Sequence, residues 1–465
     1  MIQQYQLVEQ IFAGNSEMAM LMRSHDWSLS ALGAVETWPQ SLKTAIRIVL
    51  GSRYPMFVWW GQQMTKFYND AYIPILGKRH PQALGQPASR VWAEIWDTLG
   101  PQAEAVLNQG QSTWNQELLL VMERNGYTEE TYFTFSYSPV ANDDGPVGGI
   151  FCACSEDTQR VLSDRRLATL RELAAETVTA KTQEAACEIS ATVLTHNAYD
   201  IPFALFYLLD GKSEIARLAG TTRLAAGTLA SCEAIELTSA QKCQWQLKQV
   251  IETGESRIIE DLEAQFGLLP GGAWSQSPHQ AVVLPLARSG ETFGFLIAGV
   301  SPLRTFDDDY KGFFDLMAGQ VTTAIANAQA YEAERKRAEA LAELDRAKTT
   351  FFSNVSHEFR TPLTLMLAPL EDTIANLNGT IPPQEREQLQ LVQRNGMRLL
   401  KLVNSLLDFS RTEAGRVQAA YEPIDLATYT AELASTFRSL IERVGMSLIV
   451  DCPPLPEAIY IDREM

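Results

Sequence analysis

The sequence predicts a multidomain α+β protein: two domains built on antiparallel sheets, then a coiled-coil helix, then a helical hairpin that closes into a four-helix bundle in a dimer. Three observations carry this reading. Short apolar runs separated by turn clusters fill two blocks, residues 38–157 and 182–328. Between residues 329 and 348 opposite charges are mixed around an apolar seam. Beyond residue 349, two long helical patterns keep a 3-4 rhythm on either side of Asn378-Gly379. A chain of 465 residues, 46% hydrophobic and 20% charged, is long enough for about three domains and has ordinary globular composition.

Residues 1–37 read as an N-terminal helical segment. In the first block, residues 56–60, 66–68, 132–137 and 149–154 read as strands, the last two as a hairpin over the turn at 142–145. Helical patterns near 70–76 and 101–108 place helices on one side of this sheet. Residues 158–181 form a charged linker helix with Leu162, Leu167, Leu170 and Leu173 near helical spacing. In the second block, strands read at 203–209, 214–218, 281–287 and 292–299, the last pair joined by the hairpin signal Arg288-Ser-Gly-Glu291. A helix starting near Asp307 then runs without punctuation into the coiled coil.

That coiled coil carries Leu341, Leu344, Phe351 and Val355 on one heptad frame, interrupted by Lys348. Residues 349–416 hold the hairpin. Its second helix opens at Pro382-Pro383 and keeps Leu389, Val392, Leu399, Val403 and Leu406 in rhythm, with Gly396 in the gap. The seam is too apolar to stand alone, and a second copy of the hairpin is the natural cover. The chain is therefore expected to form a homodimer.

Charge and cysteines exclude several classes. With 38 basic and 56 acidic residues the net charge is −18 and the pI about 4.8. No basic run is present, so direct nucleic-acid binding is not expected. The most apolar stretch, residues 281–300, is broken by Arg288 and Glu291 and does not read as a membrane span. The start MIQQYQLVEQIF lacks the regions of a signal peptide, which points to a cytoplasmic protein. Among six cysteines only Cys152 and Cys154 are close, and no further Cys or His pair completes a metal set.

The chemistry concentrates at His357. It lies two residues past seam position Val355 and so projects toward solvent, with Glu358 beside it. Pro362 sits within the helix, cannot donate to the Glu358 carbonyl, and should kink the chain within about one turn of His357. A neutral imidazole, with a pKa near 6.5, is a competent nucleophile at physiological pH. A neighbouring carboxylate can accept the other ring proton and offset the growing positive charge. A surface histidine beside a helix kink is the plainer reading of the same residues.

The run Ser356-His-Glu-Phe-Arg-Thr-Pro-Leu-Thr364 resembles the H-box of sensor histidine kinases of two-component systems, and Leu406-Leu-Asp-Phe-Ser-Arg411 resembles the end of the second helix of their dimerisation domain. The resemblance implies that His357 is the phosphoacceptor, phosphorylated from ATP, and that it passes the phosphoryl group to an Asp of a response-regulator receiver domain. It implies that Glu358 is the general base and that Thr361, in the E-x-x-T spacing with Glu358, positions water when the regulator is dephosphorylated. Residues 38–157 resemble a PAS sensor domain and 182–328 a GAF domain, with 329–348 as the signalling coiled coil. The ligand of either sensor is not written in the sequence.

The chain departs from that family after the bundle. Residues 421–465, with a helix at 427–443 and strands near 446–451 and 459–461, resemble only the opening of an ATP-binding lobe. Neither D-x-G-x-G nor G-x-G-x-G follows His357, and the magnesium-binding Asn would be expected just beyond Met465. Phosphoryl transfer from ATP needs Mg2+ and a phosphate cradle, so the chain alone is expected not to autophosphorylate. Two alternatives stay open: a non-catalytic dimerisation and phosphotransfer or regulator-phosphatase module served by a complete kinase in trans, or a pure sensory scaffold. Elsewhere, His80 in Gly77-Lys-Arg-His-Pro81 could in principle ligate haem but reads as a loop histidine. His279, Cys232 and Cys243 do not match a bilin attachment pattern, and His25 and His196 have no partner pattern. Trp59, Trp60, Trp92 and Trp96 read as core or as the wall of a pocket.

Overall fold

The computed structural model describes residues 2–211, 214–237, 244–376, 382–413, 421–457 and 459–462. They form two compact units, Met1–Ala333 and Glu334–Met465. Asn378-Gly379, Cys243 and Met465 lie outside the described residues.

The first unit opens with helices α1 (Ile2–Ile11), α2 (Glu17–Ser24) and α3 (Gln40–Gly51). Strands β1 (Met56–Trp60) and β2 (Thr65–Tyr68) follow, then short helices α4 (Ile73–Leu76) and α5 (Ala88–Val91) and the longer α6 (Trp96–Gln109). Three long strands complete this sheet: β3 (Thr113–Met122), β4 (Glu129–Ala141) and β5 (Val147–Glu156), in the antiparallel order β2-β1-β5-β4-β3.

The β4-β5 hairpin forms as expected. Helices, however, cover both faces of the sheet rather than one. The physical reason lies in β1 and β2, which are apolar on both sides. Phe57, Trp59 and Tyr68 share one face, while Val58, Trp60 and Phe67 share the other, because cross-strand partners lie on the same side. The second set must also be buried. The N-terminal helices do this: Phe12, Met22, Trp27 and Trp38 join the same core as Phe67, with Trp27 stacked on Phe67 at 4.9 Å. The segment 1–37 is thus structurally part of the first sheet domain.

Helix α7 (Thr158–Glu176) carries the chain to the second sheet domain. Leu162 and Leu173 are buried on it, but Leu167 is exposed, one position off the packed face. Then come α8 (Gln183–His196), β6 (Ala204–Leu209), β7 (Ile215–Thr222), β8 (Ala234–Glu236), α9 (Leu247–Thr253), β9 (Arg257–Ile259), α10 (Leu262–Phe266), β10 (Ala281–Arg288) and β11 (Glu291–Gly299). The sheet order is β8-β7-β6-β11-β10-β9. Alternation along β6 divides two cores: Ala204, Phe206 and Leu208 pack with α8 and with Tyr310, Phe314 and Met317, while Leu205 and Tyr207 pack with Trp245 and Leu247.

Gly294 on β11 has no room for a side chain, because a Cβ there would collide with the backbone carbonyl of Tyr207 on β6. Gly294→Val is therefore expected to lower stability by about 3 kcal/mol or more, the upper range for overpacking, since backbone cannot yield as a side chain does. Thermal unfolding checks this against Gly211→Ala, which has open space around its Cβ and should be near neutral.

Helix α11 runs from Asp308 to Asn376. In the second unit α12 (Pro383–Glu413) forms the second arm of the hairpin. The remaining elements are β12 (Glu422–Ile424), α13 (Leu426–Arg443) and β13 (Ile459–Ile461), with β12 and β13 paired antiparallel. Asp425 caps α13 by accepting from the Ala427 and Thr428 amides. The strand expected at 446–451 does not form. Its apolar residues Met446 and Ile449 are exposed, and among the described residues no strand lies beside it to take its hydrogen bonds.

Candidate functional site

His357 and Glu358 are adjacent and exposed on α11. The hairpin closes through the opposite face. There Ser356, Leu363 and Leu367 are buried, at the seven- and eleven-residue spacings that return a helix to the same side. Leu367 fills the space that Gly396 leaves on α12, since a Cβ at Gly396 would stand 2.7 Å from the Leu367 Cδ2. Arg360 donates to the Asn404 side-chain oxygen at 3.0 Å, and Gln393 donates to Glu371 at 3.2 Å, tying the two helices on either side of this contact. His357 is held outward because its neighbour on the helix is held inward.

The helix continues through Pro362 and through a second proline, Pro369. Proline has no N–H, so the carbonyl of Glu358 loses its usual helical donor at residue 362. One residue earlier the His357 carbonyl is doubly engaged, because Thr361 Oγ1 donates to it at 3.1 Å. Thr361 is exposed, and its hydroxyl can leave this bond for water by a rotation about χ1. The arrangement offers a solvent-facing imidazole, a carboxylate next to it and a hydroxyl one turn away. It can present a nucleophile to a phosphoryl group brought by another domain, and it does not enclose one.

Ser356 was not singled out by sequence reasoning. It is 3% exposed and its Oγ has no hydrogen-bond partner. Its place seven residues before Leu363 was the available signal. The seam proposed from the heptad is divided in the structure. Leu341, Leu344 and Phe351 are exposed, and so is a stripe on α12, Val392, Leu399, Leu402 and Leu406, at 46–60%.

The other candidates resolve into packing and ion pairs. Both ring nitrogens of His80 are engaged, Nδ1 with the Tyr68 hydroxyl and Nε2 with Glu17, each at 2.9 Å, which leaves neither for a haem iron. His25 lies against Trp27 and burial pulls its pKa down, with Asp26 acting in the other direction. His196 Nδ1 meets Glu172 at 2.7 Å. His279 is exposed, and Trp59, Trp60 and Trp92 are buried. Cys152, Cys154 and Cys187 are free and buried, and among the described residues no cluster could hold a metal ion. Among them, too, no helix is long and apolar enough to cross a membrane.

The sequence following His357 has no glycine-rich phosphate motif, and β12, α13 and β13 bring together no set of metal-binding carboxylates or imidazoles among the described residues.

Comparison with known proteins matches two segments. Residues 347–415 match the His Kinase A (phospho-acceptor) domain and residues 181–326 the GAF domain. The chain is 26% identical over 280 residues to the sensor histidine kinase TmoS of Ectopseudomonas mendocina, covering 58% of this chain and 27% of that protein. It is 39% identical over 126 residues to hybrid signal transduction histidine kinase D of Dictyostelium discoideum, covering 27% of this chain and 8% of that one. The chain thus spans about a quarter or less of the length of these relatives. Among solved structures, the GAF domain of an Acinetobacter phosphoenolpyruvate-protein phosphotransferase aligns with a TM-score of 0.28 at 19% identity, over 35% of this chain and 94% of that one.

Proposed function

We propose that this chain is the sensory and phospho-acceptor part of a two-component sensor histidine kinase. In this reading His357 takes a phosphoryl group that originates from ATP and passes it to an aspartate of a response regulator. The observation that carries the proposal is the exposed His357–Glu358 pair on a two-helix hairpin whose residues match a phospho-acceptor domain. One ring nitrogen attacks with its lone pair, while the Glu358 carboxylate accepts the proton of the other and offsets the developing charge. ATP and Mg2+ are supplied by the ATP-binding lobe of a histidine kinase, in the same protein or in a partner.

Residues 38–157 act as a PAS-like sensor and 182–328 as a GAF-like sensor, both upstream of the acceptor. The exposed stripe on α12 and the exposed Phe351 and Phe359 support a homodimer, in which a second hairpin covers them as a four-helix bundle. With no membrane-crossing helix among the described residues, a cytoplasmic kinase is the reading favoured.

The test mixes the chain with a complete histidine kinase lacking its own acceptor histidine, and with labelled ATP. Acid-labile label on this chain that vanishes in His357→Gln supports the proposal. An unlabelled chain, with a dimer shown to form between the two proteins, overturns it and leaves a sensory scaffold.

A further inference from the structure

The face of the first sheet that carries Phe57 and Trp59 lies against a cavity of about 40 Å3, walled by Phe57, Trp59, Tyr72, Trp92, Leu99 and Tyr137 among others. No charged side chain forms part of the wall. Lys66, close by on β2, is outside it, and its Nζ is already engaged in donating to the Tyr72 hydroxyl at 3.1 Å. A single water needs roughly 10–15 Å3 of such space, so a molecule of about three or four non-hydrogen atoms fits without repacking the wall.

One polar atom interrupts this apolar lining. Trp59 is 1% exposed, yet its indole Nε1–H has no hydrogen-bond acceptor. The ring is held in place by its neighbours, with the ring centroids of Phe57, Tyr137 and Trp96 at 4.7, 5.2 and 5.8 Å. Among the described residues, Nε1 of Trp59 is the one buried side-chain nitrogen or oxygen of the wall without a partner. A donor closed off from water and left unpaired is costly, and an acceptor brought to it recovers that cost. Water is a poor candidate, because a buried water is held by about two to four polar groups and this wall offers a single unpaired one.

We propose that this cavity binds a small neutral molecule that accepts one hydrogen bond and donates none, a ketone or aldehyde of about three or four non-hydrogen atoms, with its carbonyl oxygen accepting from the Trp59 indole and its alkyl groups against the rings. A hydrocarbon of the same size would leave the indole N–H unpaired. An alcohol or amide would bring a donor of its own. The Tyr72 hydroxyl already accepts from Lys66, Cys154 Sγ is directed to the Pro55 carbonyl at 3.7 Å, and no buried acceptor of the wall is left over. A carboxylate or an amine cation would be a charge buried in an aromatic wall with no opposite charge in it.

The wall is also built before the ligand arrives. Trp59 on β1, Tyr137 on β4 and Leu99 on α6 are all buried, so binding orders few side chains and little of the gain is lost to entropy.

This deepens the sensory half of the proposed function by naming its ligand class, and rests on it only for the downstream consequence. Binding is read without any phosphoryl transfer. The experiment titrates acetone into the full chain carrying isotope-labelled tryptophan, and follows the nine indole N–H signals by NMR. The signal that is missing from Trp59→Phe is expected to move downfield and to saturate, with a Kd of about 0.1–10 mM, within the ceiling for so small a ligand. Isobutene has the shape of acetone with CH2 in place of oxygen, and should give that signal no downfield shift. 2-Propanol should bind at least about tenfold more weakly than acetone, the worth of one unmet hydrogen-bonding group. Acetone binding to Trp59→Phe, read from saturation transfer to its methyl signal, should weaken by about tenfold for the same reason. Should that variant not fold, magnetisation transfer from the acetone methyls to one indole N–H of the natural chain identifies the signal, and the three compounds still decide the matter. No saturable shift up to about 100 mM acetone, tenfold above the weakest expected Kd, overturns the proposal and identifies a packing void. Equal binding of 2-propanol, an equal downfield shift with isobutene, or undiminished acetone binding to folded Trp59→Phe removes the indole as the recognising donor and also overturns it. Labelling of His357 is unaffected by any of these failures, so the two readings fail separately.

Discussion

Glu358→Gln is expected to slow phosphorylation of His357 by about 10²–10⁴-fold, the usual contribution of a positioned general base. Glutamine keeps the length and shape of the side chain, and both residues are exposed on one helical turn, so the fold should not change. What is lost, in the proposed reaction, is the carboxylate that would receive the second ring proton and balance the charge left on the imidazole. Thr361→Ala should behave differently. Among the described residues its hydroxyl bonds the His357 carbonyl alone, which the Thr361 backbone N–H can also serve in a helix. Phosphorylation should therefore be nearly unchanged while dephosphorylation of the regulator slows. Time courses of labelled His357, and of label on the regulator, separate the two. Equal slowing of both reactions by both variants would instead point to a general loss of helix geometry.

Asp200→Ala should be the most damaging polar substitution in the first unit, costing about 3–5 kcal/mol. Asp200 is fully buried between α8 and β6. One carboxylate oxygen accepts from Arg165 at 2.7 Å and the other from Arg166 at 3.3 Å, while Asn197 donates to it at 3.1 Å. Arg165 also meets Glu130 of the first sheet at 2.7 Å. The two arginines and two acids therefore form one balanced network spanning both sheet domains. Burial alone would pull the Arg165 pKa down, and the bonds to Asp200 and Glu130 more than reverse it. Without Asp200 a buried positive charge is left unbalanced. Denaturant unfolding measures the loss. In the double variant with Arg165→Met the cost should be well below the sum of the two single costs, because both remove the same pairing. Additive costs would mean that the network contributes nothing as a unit.

Much of this protein could be read along the chain. The hairpins at 142–145 and 288–291, the long helix through His357 and the exposed imidazole beside Glu358 all follow from local pattern. Turn residues, helical spacing and a nine-residue run suffice, because each depends on neighbours a few residues away. Strand β3 was missed. It bears a mixed pattern in which Trp114 is exposed and Met122 buried, with a register shift between Asn115 and Leu118, so its alternation breaks midway. The expected strand at 446–451 failed for a different reason: its apolar run, Leu448-Ile-Val450, is extended enough in pattern, but a strand exists only where another supplies its hydrogen bonds.

The sequence by itself determined most of the helical and extended segments and where His357 sits on its helix. Tertiary structure alone decided what each buried group faces. Lys66 reads as the polar member of an alternating strand, and becomes a fully buried amine only because α4–α6 and the strands around it close over that face. Residues 1–37 read as a separate helical segment, and become part of a core because β1 and β2 have two apolar faces to cover. Asp200, unremarked in its loop, is an ionic centre because α7 brings two arginines to it from 34 and 35 residues away. Secondary structure follows from interactions within a few residues, whereas burial and charge pairing depend on which distant segments meet, and that is settled only when the chain has packed.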